Sequence, residues 1–168
     1  MNQKPVVKIT STPLDRCLDG ISLFLLIAFF GITVFYYASL PETIPTHFNA
    51  VGEPDAYGHK ASLFLLAGIA LLIFLLLRYF QTKPHLYNYP TTITEENTQE
   101  QYTKAMRMMR VLNLTTLVIL FYLQFQTIQT ALGNAAGLGS YFIIFVIISG
   151  LLPLLFLLPS KKKQRIVK

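Results

Sequence analysis

Four long apolar runs cut through this chain: Ile21–Leu40, Ala61–Leu77, Val111–Leu132 and Tyr141–Leu158. Each holds 17 to 22 residues, enough to cross a hydrocarbon core of about 30 Å at about 1.5 Å per residue. Inside a bilayer the backbone must satisfy its own hydrogen bonds, so runs of this length predict helices. The spans are set at 21–40, 61–78, 111–132 and 140–158. The first run is longer than the roughly 7–15 residues of a signal-peptide core, and Asp15 and Asp19 precede it. It is therefore read as a retained span. Only 13% of the residues are charged, against about 25% in soluble domains. The sequence predicts an all-α membrane protein of four transmembrane helices, forming a single membrane domain over 1–168.

The basic residues set an orientation. Lys4, Lys8 and Arg16 precede the first run, and Arg78, Lys83, Lys104, Arg107 and Arg110 lie between the second and third. Lys161, Lys162, Lys163, Arg165 and Lys168 follow the fourth. Of the 14 Lys and Arg residues, Lys60 alone falls on the other side. The positive-inside rule then places both termini in the cytoplasm, and so predicts a multi-pass protein of the bacterial inner membrane. Charges at helix ends suit anionic lipid, so the net charge of +6 is not taken as a nucleic-acid signal. The bilayer itself is the expected partner. Cys17, the one cysteine, is read as an unpaired thiol near a helix end.

The external loop 41–60 is far denser in polar groups than a helix connector needs. Pro41 stops the first helix, Pro45 keeps the chain extended, and Gly52, Pro54 and Gly58 mark turns. Between them stand His47, Asn49, Glu53, Asp55, His59 and Lys60. Three readings compete. The loop is a folded cap, with Asp55 paired to Lys60 and Asn49 closing a turn. Alternatively it is a recognition surface for a peptide, lipid or membrane protein. In the third reading His47, Glu53, Asp55 and His59 hold a metal, because their ligand types suit zinc.

The string Leu-Pro-x-x-Ile-Pro-x-His-Phe-Asn-x-x-Gly-x-x-Asp-x-Tyr-Gly-x-Lys, from Leu40 to Lys60, resembles the hallmark of domain-of-unknown-function family 1648. That domain stands at the N-terminus of SdpI-like immunity proteins, and this chain looks like a short four-helix member. Where such sequences often carry a small polar residue, this one has His59. The resemblance implies a non-enzymatic membrane protein. In such immunity proteins the role is protection from a secreted membrane-active toxin, with signalling to a repressor. The binding residues it points to are His47, Phe48, Asn49, Gly52, Asp55, Tyr57 and Lys60.

The connector 79–110 is expected in the cytoplasm. Its tyrosines, Tyr87 and Tyr89, suit an interface, with their hydroxyls reaching water. Thr94 is a candidate N-cap. Glu95, Glu96 and Glu100 come early and Lys104, Arg107 and Arg110 late, an order that complements a helix dipole. A helix from about Glu95 can therefore run unbroken into the third span as an amphipathic lead-in. Within that span Asn113, Thr116, Gln124 and Thr127 fall within about 60° of one another at about 100° per residue. That stripe predicts interhelical hydrogen bonds. Pro153 interrupts the fourth run and predicts a kink.

No Asp, Glu, Lys, Arg or His lies in the core of any run, which argues against an ion pump or proton-coupled transporter. The chain shows no HExxH, phosphate loop or Ser/His/Asp set. No catalytic residue and no cofactor is expected. The alternatives are a metal-assisted membrane enzyme using the loop histidines and carboxylates, or a small transporter.

Overall fold

The computed structural model describes residues 4–157. Helix α1 (Pro13–Tyr37) leads into strands β1 (Thr43–Phe48) and β2 (Pro54–His59). Helix α2 (Ser62–Gln81), helix α3 (Glu95–Ala131) and helix α4 (Phe142–Leu151) follow. Short 3-10 turns stand at Pro84–Leu86 and Leu152–Leu157.

Helix α1 starts eight residues before its apolar run because the sequence caps it there. The Thr12 hydroxyl accepts from the Asp15 amide at 3.3 Å, and Asp15 Oδ2 accepts from the Thr12 amide at 2.8 Å. Pro13 at the first helical position needs no acceptor for a missing N–H. Helix α3 begins after Thr94 as expected, with the Thr94 amide donating to Asn97 Oδ1 at 2.9 Å. Its 37 residues run without a break, about 55 Å at about 1.5 Å per residue. That exceeds the roughly 30 Å core of a bilayer, so the first part of α3 stands outside it.

Helix α3 packs against both α1 and α2. Leu26, Phe29, Ala67, Ala70 and Leu117 form the middle of the core. Ala67 and Ala70 are fully buried on α2, and their small side chains let α3 approach closely. The Phe29 and Phe121 rings meet edge-on at 6.3 Å. The expected polar stripe of α3 does face its neighbours. Gln124 Nε2 donates to Thr33 Oγ1 at 2.7 Å and to the Leu63 carbonyl at 3.3 Å. Asn113 Nδ2 donates to the Phe74 carbonyl at 3.4 Å. Thr127 is buried with them, and Thr116 is half-buried.

Helices α1, α2 and α3 are each long and apolar enough to cross a membrane, yet at most 33% of each apolar stretch is buried within the molecule. Phe24, Phe35 and Leu65 present their side chains outward. Such continuous apolar surface requires lipid around it, and the protein is membrane-embedded. The fourth expected span is shorter than the other three. It comprises α4 and the following turn, Phe142–Phe156. Pro153 has no N–H for the Ser149 carbonyl, and the helix tightens into a 3-10 turn from Leu152. Leu158 and the basic tail Lys161–Lys168 lie outside the described residues.

Two local expectations need correction. The fold is mostly helical rather than all-α, because the loop 41–60 forms a two-stranded antiparallel sheet. The tyrosines of the connector also turn inward. Tyr89 stacks on Tyr102 at 5.6 Å, Tyr89 Oη donates to the Pro84 carbonyl at 2.8 Å, and Tyr87 Oη donates to the Phe80 carbonyl. Burial pushes the Tyr87 hydroxyl up to about 12 and raises that of Tyr89 as well.

Candidate functional site

The segment after α1 becomes a hairpin because its first strand has an apolar seat. Ile44 is fully buried and packs with Leu40, Leu63 and Ile128. Ile44 faces Gly58 across the ladder, and Pro45 faces Tyr57, with irregularities around His47. A Cβ on Gly58 would stand 2.9 Å from Thr46 Cγ2, so any larger residue there must displace the Thr46 side chain.

The turn is closed by Asn49, as the sequence predicts. Its Oδ1 accepts from the amides of Val51 and Glu53, both at 3.0 Å. Gly52 adopts φ 86°, a left-handed conformation that glycine accepts freely. Its carbonyl accepts from the Leu138 amide at 2.7 Å. The Leu138 carbonyl in turn accepts from Tyr122 Oη at 2.8 Å. The loop between α3 and α4 therefore clamps the hairpin tip to α3.

The hairpin base is closed by Lys60, whose side chain is only 13% exposed. Its Nζ lies 3.0 Å from Glu42 Oε1, donates to the Leu40 carbonyl at 3.3 Å, and stands 5.0 Å above the Tyr37 ring. The Lys60 ammonium beside Glu42 holds that carboxyl below its ordinary value. His59 joins the same carboxylate. Its Nδ1 accepts from the Ala61 amide at 3.1 Å, which leaves the proton on Nε2, 3.1 Å from Glu42 Oε2. The expected Asp55–Lys60 pair does not form. Lys60 reaches back to Glu42, and Asp55 Oδ1 lies 2.5 Å from His47 Nδ1.

The predicted binding residues thus separate by role. Asn49, Gly52 and Lys60 hold the hairpin in shape, and Phe48 is half-buried beside the turn. His47, Asp55 and Tyr57 remain exposed. Asp55 and Tyr57 stand two residues apart on β2, so they share a face. His47 and Asp55 meet as a pair, while His59 is engaged with Glu42 at the base. Among the described residues, no three His, Cys, Asp or Glu side chains converge as metal ligands would, so His47, Glu53, Asp55 and His59 are not brought together. Sequence reasoning missed Glu42, although it stands inside the quoted string. It also missed Leu138, for which no local signal exists.

Residues 24–71 match the family described as Domain of unknown function (DUF1648). The chain carries a DUF1648 domain. The matched segment takes in the second half of α1, the complete hairpin and the first half of α2. It excludes α3 and the loop that clamps the tip. An uncharacterized protein of Archaeoglobus fulgidus is 52% identical over 33 residues, which are 20% of this chain and 18% of the archaeal protein. The similarity therefore speaks for a short segment and not for the whole of that relative. No solved structure matches the chain.

Proposed function

We propose that this protein recognises a peptide or a membrane partner through the exposed face of the DUF1648 hairpin, as a non-enzymatic, multi-pass protein of the bacterial inner membrane. The observation that carries the reading is the division of labour in the hairpin. Its tip is clamped by Leu138 and its base by Lys60 and Glu42, while His47, Asp55 and Tyr57 stay in the open. A cap that only closes a helix connection has no use for an exposed His–Asp pair beside an exposed tyrosine. Pre-organised groups of this kind lower the ordering cost of binding. Strand β2 is largely exposed and is one edge of a two-stranded sheet, so an extended peptide can add to it through backbone hydrogen bonds.

In this reading the helix and turn Phe142–Phe156 supply a fourth span. Both termini then lie in the cytoplasm and the hairpin outside, following the distribution of basic residues. The role is that of the immunity and signalling proteins of the SdpI family: the hairpin binds a secreted membrane-active peptide. Cells making the protein should survive such a peptide at doses that kill cells lacking it. Asp55→Ala and Tyr57→Ala should remove protection at unchanged protein abundance. Survival that both variants leave intact sinks the proposal.

A further inference from the structure

A second polar cluster lies at the far end of the bundle, where α1 begins and α2 ends. Arg107 Nε lies 3.0 Å from Asp15 Oδ1, and Arg110 Nε lies 3.3 Å from Asp19. Arg78 reaches Asp19 at 2.6 Å. Asp15 is 2% exposed and Arg110 5%, so this is an internal network and not a set of free lipid anchors. Beside it lies a cavity of about 280 Å³, lined among others by Lys8, Ser11, Arg78, Gln81 and Arg110.

Two observations give that cavity a chemistry. The first is charge. Lys8, Arg78, Arg107 and Arg110 stand around only two carboxylates, Asp15 and Asp19. Asp19 already receives two arginines and the Gln81 amide, and among the described residues no acidic side chain lines the cavity. The excess is positive, and two of the three cations that line the cavity, Arg78 and Arg110, are arginines, whose planar forks match phosphate oxygens. The second is an unmet acceptor. Gln81 is 2% exposed, and its Nε2 donates to Asp19 Oδ1 at 3.0 Å. A carboxylate only accepts, so the amide nitrogen must face it. Gln81 Oε1 is then left with no partner among the described residues. A buried acceptor without a donor is costly, and a bound hydroxyl relieves it.

The cavity is smaller than the roughly 300–1,000 Å³ of sites for drug-sized ligands, so it suits a headgroup rather than a whole lipid. Arg78 ends the apolar run of α2, and its neighbours Tyr79 and Phe80 are exposed on the outer surface. The cavity therefore sits at the level where lipid chains give way to headgroups. We propose that it binds a glycerophosphate group. The phosphate faces Lys8, Arg78 and Arg110, and a glycerol hydroxyl donates to Gln81 Oε1. The chemistry is shared by the phosphatidylglycerol headgroup and by free glycerol 3-phosphate, and it does not depend on the hairpin reading.

The test uses the full chain in detergent, titrated with dioctanoyl phosphatidylglycerol, dioctanoyl phosphatidylcholine and glycerol 3-phosphate. Phosphatidylglycerol should bind about tenfold tighter than phosphatidylcholine, and Lys8→Gln and Gln81→Leu should each weaken it about fivefold. Lys8 is exposed, so its loss leaves the fold intact even where Gln81→Leu does not. Binding of glycerol 3-phosphate alone, with the same sensitivity to Lys8→Gln, supports the site and identifies a soluble ester as its source. Equal affinity for the two lipids without binding of glycerol 3-phosphate overturns the proposal. So does ligand binding that Lys8→Gln leaves unchanged.

Discussion

Gly137→Ala tests the clamp between the hairpin tip and the loop after α3. Gly137 has φ 154°, and a Cβ there would stand 2.1 Å from the Gly52 carbonyl oxygen. Neither partner can yield by a side-chain rotation, because both are backbone. The backbone conformation alone costs about 1–3 kcal/mol for a residue with a Cβ. Forcing Gly52 away also breaks the Leu138 N–H to Gly52 O bond of 2.7 Å, which adds about 1 kcal/mol. The expected loss is about 2–4 kcal/mol, expressed as release of the tip and not as unfolding of the helices. Gly150→Ala is the control, since a Cβ at Gly150 meets nothing within 4 Å. It should be neutral or stabilise α4 by up to about 1 kcal/mol. Thermal unfolding in detergent reads the stability, and amide hydrogen exchange at Leu138 reads the clamp. A Gly137→Ala protein with unchanged melting temperature and an equally protected Leu138 amide would refute the docked tip.

Gln124→Leu should change stability by less than about 1 kcal/mol, because the two interhelical bonds it removes, worth about 0.6 kcal/mol each, are offset by the loss of the unpartnered Gln124 Oε1; Gln124→Ala should cost about 2 kcal/mol or more through the void it leaves, and paired thermal melts check the contrast. Arg110→Met leaves Asp15 with Arg107 and Asp19 with Arg78, so the loss should fall near the lower bound for breaking a buried pair, about 3 kcal/mol. Adding Asp19→Asn should recover part of that loss in a double-mutant cycle. The Glu42 carboxyl titrates below its ordinary value of 4.5 in the folded hairpin, so its contribution is complete above that pH and disappears as pH falls through the depressed value. The protection factor of the Lys60 amide, whose N–H donates to the Glu42 carbonyl at 2.9 Å, should fall on acidification below about 4.5, and Glu42→Gln should flatten that response.

The helices were legible because their signals are local. Apolar runs set α1 and α2, and the order of charges from Glu95 to Arg110 set the start of α3. The Glu100–Lys104 pair, 3.1 Å apart, forms as its spacing requires. The strands were not legible, because Pro45, Asp55 and Gly58 all disfavour sheet. They pair because Ile44 finds a pocket made by Leu40, Leu63 and Ile128, and tertiary burial outweighs local preference. The arginine network failed for a related reason. Arg107 and Arg110 look like lipid anchors beside their own apolar run, while their partners lie 92 and 91 residues away. The one hint was the spacing of Asp15 and Asp19, four residues apart and so on one helix face.

The same geometry shows where the DUF1648 segment ends as a physical unit. Residues 24–71 include both strands and the Lys60–Glu42 closure of the base, yet neither the apolar seat of Ile44 nor the clamp on the tip is complete within them. Ile128, which closes the pocket around Ile44, belongs to α3. Leu138, which holds the turn, lies beyond α3. The loss of either should free one end of the hairpin while the matched sequence stays intact. The positions that fix the shape of this hairpin are therefore divided between a recognisable motif and two residues that carry no motif at all. A hairpin of this sequence on a different scaffold would need its own apolar seat for Ile44 and its own backbone donor for the Gly52 carbonyl.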